Sequence, residues 1–163
     1  MMSLRPRAAR LPLLFLFAAV AILPVHAQIA SPDDPASASV IPQSALLQPE
    51  QLNRELQQHS PLLILQVGSK VLFQEAHIPG AAYAGPASRP DGLAALRARV
   101  EPLPRSQPIV IYCGCCPWDR CPNIGTAWRL LHRMGFTHVR ALYLANNFGA
   151  NWVALGYRVE SSQ

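Results

Sequence analysis

Apolar positions along the chain alternate between continuous runs and helical spacings, the pattern of strands buried on both faces with helices packed over them. PLLILQV, bounded by Pro61 and Gly68, and PIVIYC, ending at Cys113, are runs of the first kind, and THVRALYL is a third. HIPGAAYAG is short and carries Pro79, which assigns it to a sheet edge or takes it out of the sheet quickly. Helical spacing begins in PEQLNRELQQH, where Leu52 and Leu56 stand four apart behind Pro49. GLAALRARV follows Asp91, read as its N-cap, with Leu93, Leu96 and Val100 on one face. GTAWRLLHRMGF is a helix closed by Gly135, and FGANWVALGY a last helix capped by Asn147 and stopped at Gly156. Trp128 and Trp152 fall within these helices and are expected in the core.

Strands alternating with helices predict an α/β fold: one domain over residues 46–163 with a mainly parallel central sheet flanked by helices. Reactive groups of such sheets lie beyond the carboxyl ends of the strands. The loop after PIVIYC starts at such a place.

Ahead of this pattern, residues 28–45 are rich in Ser, Pro and Ala without periodicity and read as a flexible leader. Residues 1–27 differ again. Arg5, Arg7 and Arg10 precede the apolar run LPLLFLFAAVAILPV, and small residues at Val25 and Ala27 follow. That order is a secretory signal peptide cut after Ala27, which predicts a periplasmic or secreted protein. The run is too short for a spanning helix, which needs roughly 20 residues, so no stable membrane insertion is expected after cleavage.

Charge changes the picture little. The chain's net charge of +5 includes the three arginines of the signal, leaving +2 on the rest. No basic run interleaved with aromatics remains, so a nucleic-acid partner is not expected.

Cysteine usage changes it more. All four cysteines, Cys113, Cys115, Cys116 and Cys121, lie within CGCCPWDRC. A bridge among them closes too short a loop to staple a fold, so the cluster is a local chemical device. A thiol that leaves a buried strand and runs into a helix N-terminus meets backbone N–H groups and the positive end of the helix dipole, which stabilise a thiolate. Cys113 fits that geometry by position. Arg120 adds positive charge within the loop, and Trp118 reads as a loop wall beside the sulfurs.

Four segments in order, LLILQV with AHIPGA, then IVIYC, then LLHRMGFTHVRAL, then NWVALGYRVE, make residues 48–160 resemble the rhodanese, or sulfurtransferase, family. They are similar to its opening strand, HIPGA turn, cysteine-bearing strand, helix ending in a Gly-aromatic pair and closing Trp helix. The resemblance implies a rhodanese-like domain that takes sulfane sulfur onto a cysteine as a persulfide and passes it to an acceptor. Its partners would be a small sulfur-containing substrate or a thiol acceptor, with no cofactor. Gln66 and Gly68 stand where the family usually carries Asp and Arg. His77 matches the histidine of the HIPGA turn and is read as packing and hydrogen bonding. The cysteine loop exceeds the family's tight anion-binding cradle by about five residues. Cys113 is the first choice of nucleophile, with Cys116 and Cys121 as alternatives.

Two further chemistries are open to the same residues. Cys115, Cys116 and Cys121 are candidates for thiol–disulfide exchange, although the four residues between Cys116 and Cys121 do not make a Cys-x-x-Cys motif. Closely spaced thiols also suit a soft metal as a binding module, but the spacing matches no zinc motif, His132 and His138 read as surface residues, and no metal ligand is assigned.

Overall fold

The structure is a computed structural model that describes residues 38–162. The signal peptide expected over 1–27 and the first part of the expected leader, 28–37, lie outside the described residues.

Five strands form one sheet: β1 (Leu46–Leu47), β2 (Leu63–Gln66), β3 (Ala82–Tyr83), β4 (Ile109–Tyr112) and β5 (Val139–Leu142). Their order is β1-β5-β4-β2-β3, and every pairing is parallel. The three long apolar runs thus make the centre of the sheet. The proline-bearing HIPGAAYAG segment supplies the edge strand β3. The other edge, β1, pairs Leu46 with Ala141 and Leu47 with Leu142. A two-residue strand has no periodicity to read, and its pairing comes wholly from β5.

Alternation along β4 divides the core into two layers. Ile109, Ile111 and Cys113 face α3 (Pro90–Val100) and α4 (Ile124–Arg133), in one cluster with Leu96, Val100, Ile124, Ala127 and Leu131. Val110 and Tyr112 face the other side, where Leu52 of α1 (Pro49–Gln57), Phe148 of α5 (Phe148–Asn151) and Trp152 are buried. The strand-end cysteine is therefore aimed at the α4 side by the same period-2 rule that buries Ile109 and Ile111.

Local signals explain most boundaries. Pro49 opens α1, and Gln48 and Gln51 cap it reciprocally, the Gln48 N–H donating to Gln51 Oε1 at 2.9 Å. α4 ends in a left-handed Gly135 (φ 86°), with Phe136 N–H donating to Leu131 O and Gly135 N–H to His132 O, a Schellman closure. Asn147 caps α5 by accepting from Ala150 N–H at 2.9 Å. Trp128 and Trp152 are both buried, as expected.

Three expectations need correction. Asp91 is not the cap of α3, because Pro90 already occupies its first turn with a helix-compatible φ and moves the cap back to Arg89. The last segment is not one helix: α5 stops at Asn151, and a 3-10 turn over Val153–Leu155 follows before left-handed Gly156. Residues 38–45, assigned to the leader, are ordered 3-10 turns at Ala38–Val40 and Gln43–Ala45. Ala38 and Ile41 are buried in the same apolar cluster as Cys113 and Cys121. Two apolar side chains are enough to dock this stretch, although no period announces it. One helix went unread: α2 (Lys70–Glu75), opened by Ser69, whose Oγ accepts from Leu72 N–H at 3.5 Å.

Candidate active-site loop

The loop between β4 and α4 is pinned from three sides. Val67 N–H donates to Tyr112 O at 2.9 Å, holding the strand end against β2. Phe148 N–H donates to Gly114 O at 3.1 Å, and Trp118 N–H to Ala145 O at 3.2 Å. Gly114 suits this close approach, since a Cβ on it would stand 3.0 Å from Phe148 Cβ and the neighbour would have to shift. Residues Trp118–Arg120 then form a 3-10 turn. Trp118 is half-buried, packs on the cluster holding Cys113 and Cys121, and tilts against Tyr143 at 5.2 Å between ring centroids. Arg120 is exposed and makes no side-chain hydrogen bond or ion pair among the described residues.

All four thiols are free, and the loop brings them together. Cys113 Sγ lies 3.3 Å from Cys115 Sγ, and Cys115 Sγ lies 3.1 Å from Cys116 Sγ. Cys113 and Cys121 are buried, Cys116 is half-buried, and Cys115 is exposed. Asn123, itself buried, donates from Nδ2 to Cys113 Sγ at 3.4 Å while its Oδ1 accepts from Ser88 N–H at 2.8 Å. The sulfurs of Cys113, Cys115 and Cys116 all lie within 4.8 Å of one another, close enough for one soft ion to be shared among them.

Cys121 ends the 3-10 turn and lies two residues ahead of Asn123, the N-cap of α4. Its backbone is extended (φ −83°, ψ 110°), Pro122 follows, and Asn123 already has helical dihedrals ahead of α4. The N–H groups of Asn123 and Ile124, at the start of α4, favour the anionic form of its sulfur. The hydrogen bond from Cys113 and then these two N–H groups hold the Cys121 thiol down at about 7, against the opposing effect of burial. Cys113 moves the other way: as partner of Cys115, Cys116 and Cys121, and buried, it is held well above the usual thiol value. Cys115 and Cys116 are both lowered, first by their hydrogen bonds with Cys113. Cys113 is the thiol that stays protonated, and its single S–H donates to one neighbouring sulfur at a time.

The residues flanking the loop account for the two departures on β2. Gln66 is buried and closes the β2–α2 turn, Oε1 accepting from Gly68 N–H at 3.3 Å and Nε2 donating to Ser69 O at 3.2 Å. Gly68 leaves room for the strand-end sulfur, because a Cβ there would stand 2.9 Å from Cys113 Sγ. His77 is buried away from the sulfurs. Its Nδ1 pairs with Phe73 O at 2.7 Å, its ring stacks on Phe73, and its backbone bridges to Glu160. His132 and His138 are both exposed, and His132 packs on Trp128.

Sequence reasoning gathered the four cysteines but missed Asn123 as the polar link between Cys113 and the Ser88 turn. The Cys121-Pro122-Asn123 order carried the signal for the cap. Nothing in the sequence marked Asn123 as facing a residue ten positions back.

Solved structures share this architecture. The rhodanese-like domain of the Alr3790 protein from Anabaena sp. is 24% identical over 72% of this chain and 79% of its own, with a TM-score of 0.54. The BH2092 protein from Bacillus halodurans is 18% identical over 73% and 78%, with a TM-score of 0.57. A thiosulfate sulfurtransferase from Pseudomonas aeruginosa is 21% identical over 79% of this chain and 23% of its own, with a TM-score of 0.56. At these identities the likeness is one of fold. No match to the curated proteins was found. The model of the rhodanese-like domain family matches residues 48–144, more than half of the chain and the stretch that carries β2 to β5 and the cysteine loop. The chain belongs to the rhodanese-like domain family.

Proposed function

We propose that the protein is a sulfurtransferase that carries sulfane sulfur as a cysteine persulfide within its four-thiol loop. The observation that carries this reading is the gathering of four free thiols at the start of α4, with buried Cys121 two residues ahead of the helix N-cap, where the Asn123 and Ile124 N–H groups favour a sulfur anion. A persulfide anion needs the same donors as the thiolate it replaces. Cys121 is the sulfur-holding residue in this reading, in place of the strand-end Cys113. The exposed Cys115 is the point of uptake. Its thiolate takes the outer sulfur of a donor, the donor's thiolate or sulfite leaves, and Cys115–S–SH remains. Cys113, 3.3 Å away, accepts the sulfur next, giving its own proton to the Cys121 thiolate and leaving Cys115 as thiolate. In the second exchange Cys121 attacks the outer sulfur on Cys113, the Cys113–sulfur bond breaks, and the proton held by Cys121 returns to the departing Cys113 thiolate. Arg120 and Trp118 have no assigned step.

Mass spectrometry after incubation with a sulfane donor tests the reading: one added sulfur atom, localised to the loop and lost in Cys121→Ser. The close approach of Cys113, Cys115 and Cys116 also favours a second reading, thiol–disulfide exchange. A loop disulfide with a reduction potential well above about −300 mV supports that alternative, and a lower one marks a structural bridge.

We infer as well that residues 1–27 direct export and that the working protein starts at Gln28 in the periplasm or outside the cell. The basic start, apolar run and Ala27 support this. Amino-terminal sequencing of protein from the cell envelope that begins at Met1 would overturn it.

A further inference from the structure

The exposed thiol opens into a cleft of about 350 Å³, at the low end of small-molecule pockets. Leu72 of α2 and Ala76 just after it line one part of it, Phe148 and Gly149 of α5 another, and Val153 a third, with Gly114 and Cys115 between. Leu72 is 37% and Val153 42% exposed, two of the few large apolar side chains left open to solvent. Among the described residues, the only charged one that lines the cleft is Glu75. Lys70 and Arg120, the cations nearest in sequence to α2 and the loop, do not line it.

The far side of the sulfurs is no more cationic. Gly68 stands where the family resemblance leads one to expect arginine, and its Cα faces Cys113 Sγ so closely that even a methyl group would crowd the sulfur. A doubly charged donor such as thiosulfate would have to leave water for apolar walls beside a carboxylate, with no counter-charge in the cleft. A carrier with an apolar group finds the reverse, since its hydrocarbon covers Leu72, Phe148 and Val153.

We propose that the cleft selects apolar hydropersulfides, R–S–SH, in their uncharged form, as the sulfur source of the loop. This deepens the sulfur-transfer reading and rests on it. In the step at Cys115, the thiolate attacks the outer sulfur of R–S–SH, the donor's S–S bond breaks, and R–S⁻ leaves with the electron pair. Cys115–S–SH carries the transferred sulfur and its proton. No oxidant or reductant is consumed. Low polarity in the cleft favours the neutral donor, which is the electrophile the step requires.

The experiment compares two donors of equal sulfur chemistry and different charge, benzyl hydropersulfide and its para-carboxybenzyl analogue, with thiosulfate as a third. Persulfide loading is followed by mass spectrometry on wild type, Glu75→Lys and Leu72→Lys. The expected result is a preference of about tenfold for the benzyl over the carboxybenzyl donor in wild type, with thiosulfate slowest. Glu75→Lys should narrow or invert that preference, and Leu72→Lys should slow the benzyl donor. Equal rates for the two benzyl donors, or a preference that Glu75→Lys does not move, would overturn the inference while leaving sulfur transfer intact. Loading by none of the donors would overturn both.

Discussion

The Cα of Gly68 faces the sulfur of Cys113 with room for nothing between them, and a methyl group placed on it would lie 2.9 Å from Sγ. Gly68→Ala should therefore push the sulfur off its contacts with Cys115 and Asn123, or the β2–α2 turn off its bonds with Gln66. Overpacking of this kind costs about 1–3 kcal/mol. Thermal unfolding should register the cost, and thiol titration of the same variant should show the four-sulfur coupling weakened. An unchanged titration in a folded Gly68→Ala protein would mean that the loop absorbs the methyl group elsewhere.

The opposed shifts of Cys121 and Cys113 give a pH dependence with a definite sign. Cys121 is lowered to about 7, chiefly by its hydrogen bond with Cys113 and then by the Asn123 and Ile124 N–H groups, so its thiolate forms as pH rises through neutrality. Cys113 is raised and stays protonated over that interval. Ultraviolet thiolate absorbance should show a step near neutral pH that loses the Cys121 share of its amplitude in Cys121→Ser, while Cys115 and Cys116 still titrate. Persulfide loading should rise across the same interval and fall off as the solution is acidified.

Asn123 joins the loop to the turn before α3, and its two ends separate by substitution. Asn123→Ala leaves Ser88 N–H and Cys113 Sγ without their partner and should cost about 1 kcal/mol or somewhat more, since a buried hydrogen-bonding group is lost. Asn123→Asp keeps the acceptor for Ser88 but sets a carboxylate beside Cys113, which disfavours anions across the sulfur cluster. The second variant should unfold near the wild-type temperature while its thiolate step moves to higher pH.

Glu55 and Arg140 provide a control far from the sulfurs. Their two hydrogen bonds, at 2.7 and 2.6 Å, tie α1 to β5, and both side chains are about a third exposed or less. The Arg140 hydrogen bond holds Glu55 below the ordinary carboxyl value. A lowered folded-state value means that the pair's stabilisation is present above the unfolded carboxyl range and is lost as pH falls through the folded one. Glu55→Gln should cost about 1 kcal/mol at neutral pH, less in acid, and leave thiol titration unmoved.

How much of this the sequence carries follows from the length of each signal. β2, β4 and β5 are continuous apolar runs because they are buried on both faces, and α4 shows its buried stripe at Ile124, Ala127, Trp128 and Leu131. β1 spans two residues, and α2 leaves Val71 and Leu72 exposed, so neither has a period to read. Those two short elements are the ones that wall the cleft or complete the sheet edge. Strand alternation correctly aims Cys113 at the α4 side, yet burial and hydrogen bonding there keep it protonated. Which sulfur carries the charge depends on donors supplied by Asn123 and Ile124 in three dimensions. Spacing alone left Cys113, Cys116 and Cys121 all open.

In the proposed reading, sulfane sulfur is held on Cys121, the loop cysteine at the start of α4. The direct measurement is intact-protein and peptide mass spectrometry of wild type and the four single Cys→Ser variants after exposure to a hydropersulfide. One added sulfur is expected on Cys121 in wild type, none retained in Cys121→Ser, and slowed uptake in Cys115→Ser. Added sulfur that stays on Cys113 in wild type and persists in Cys121→Ser would contradict that reading.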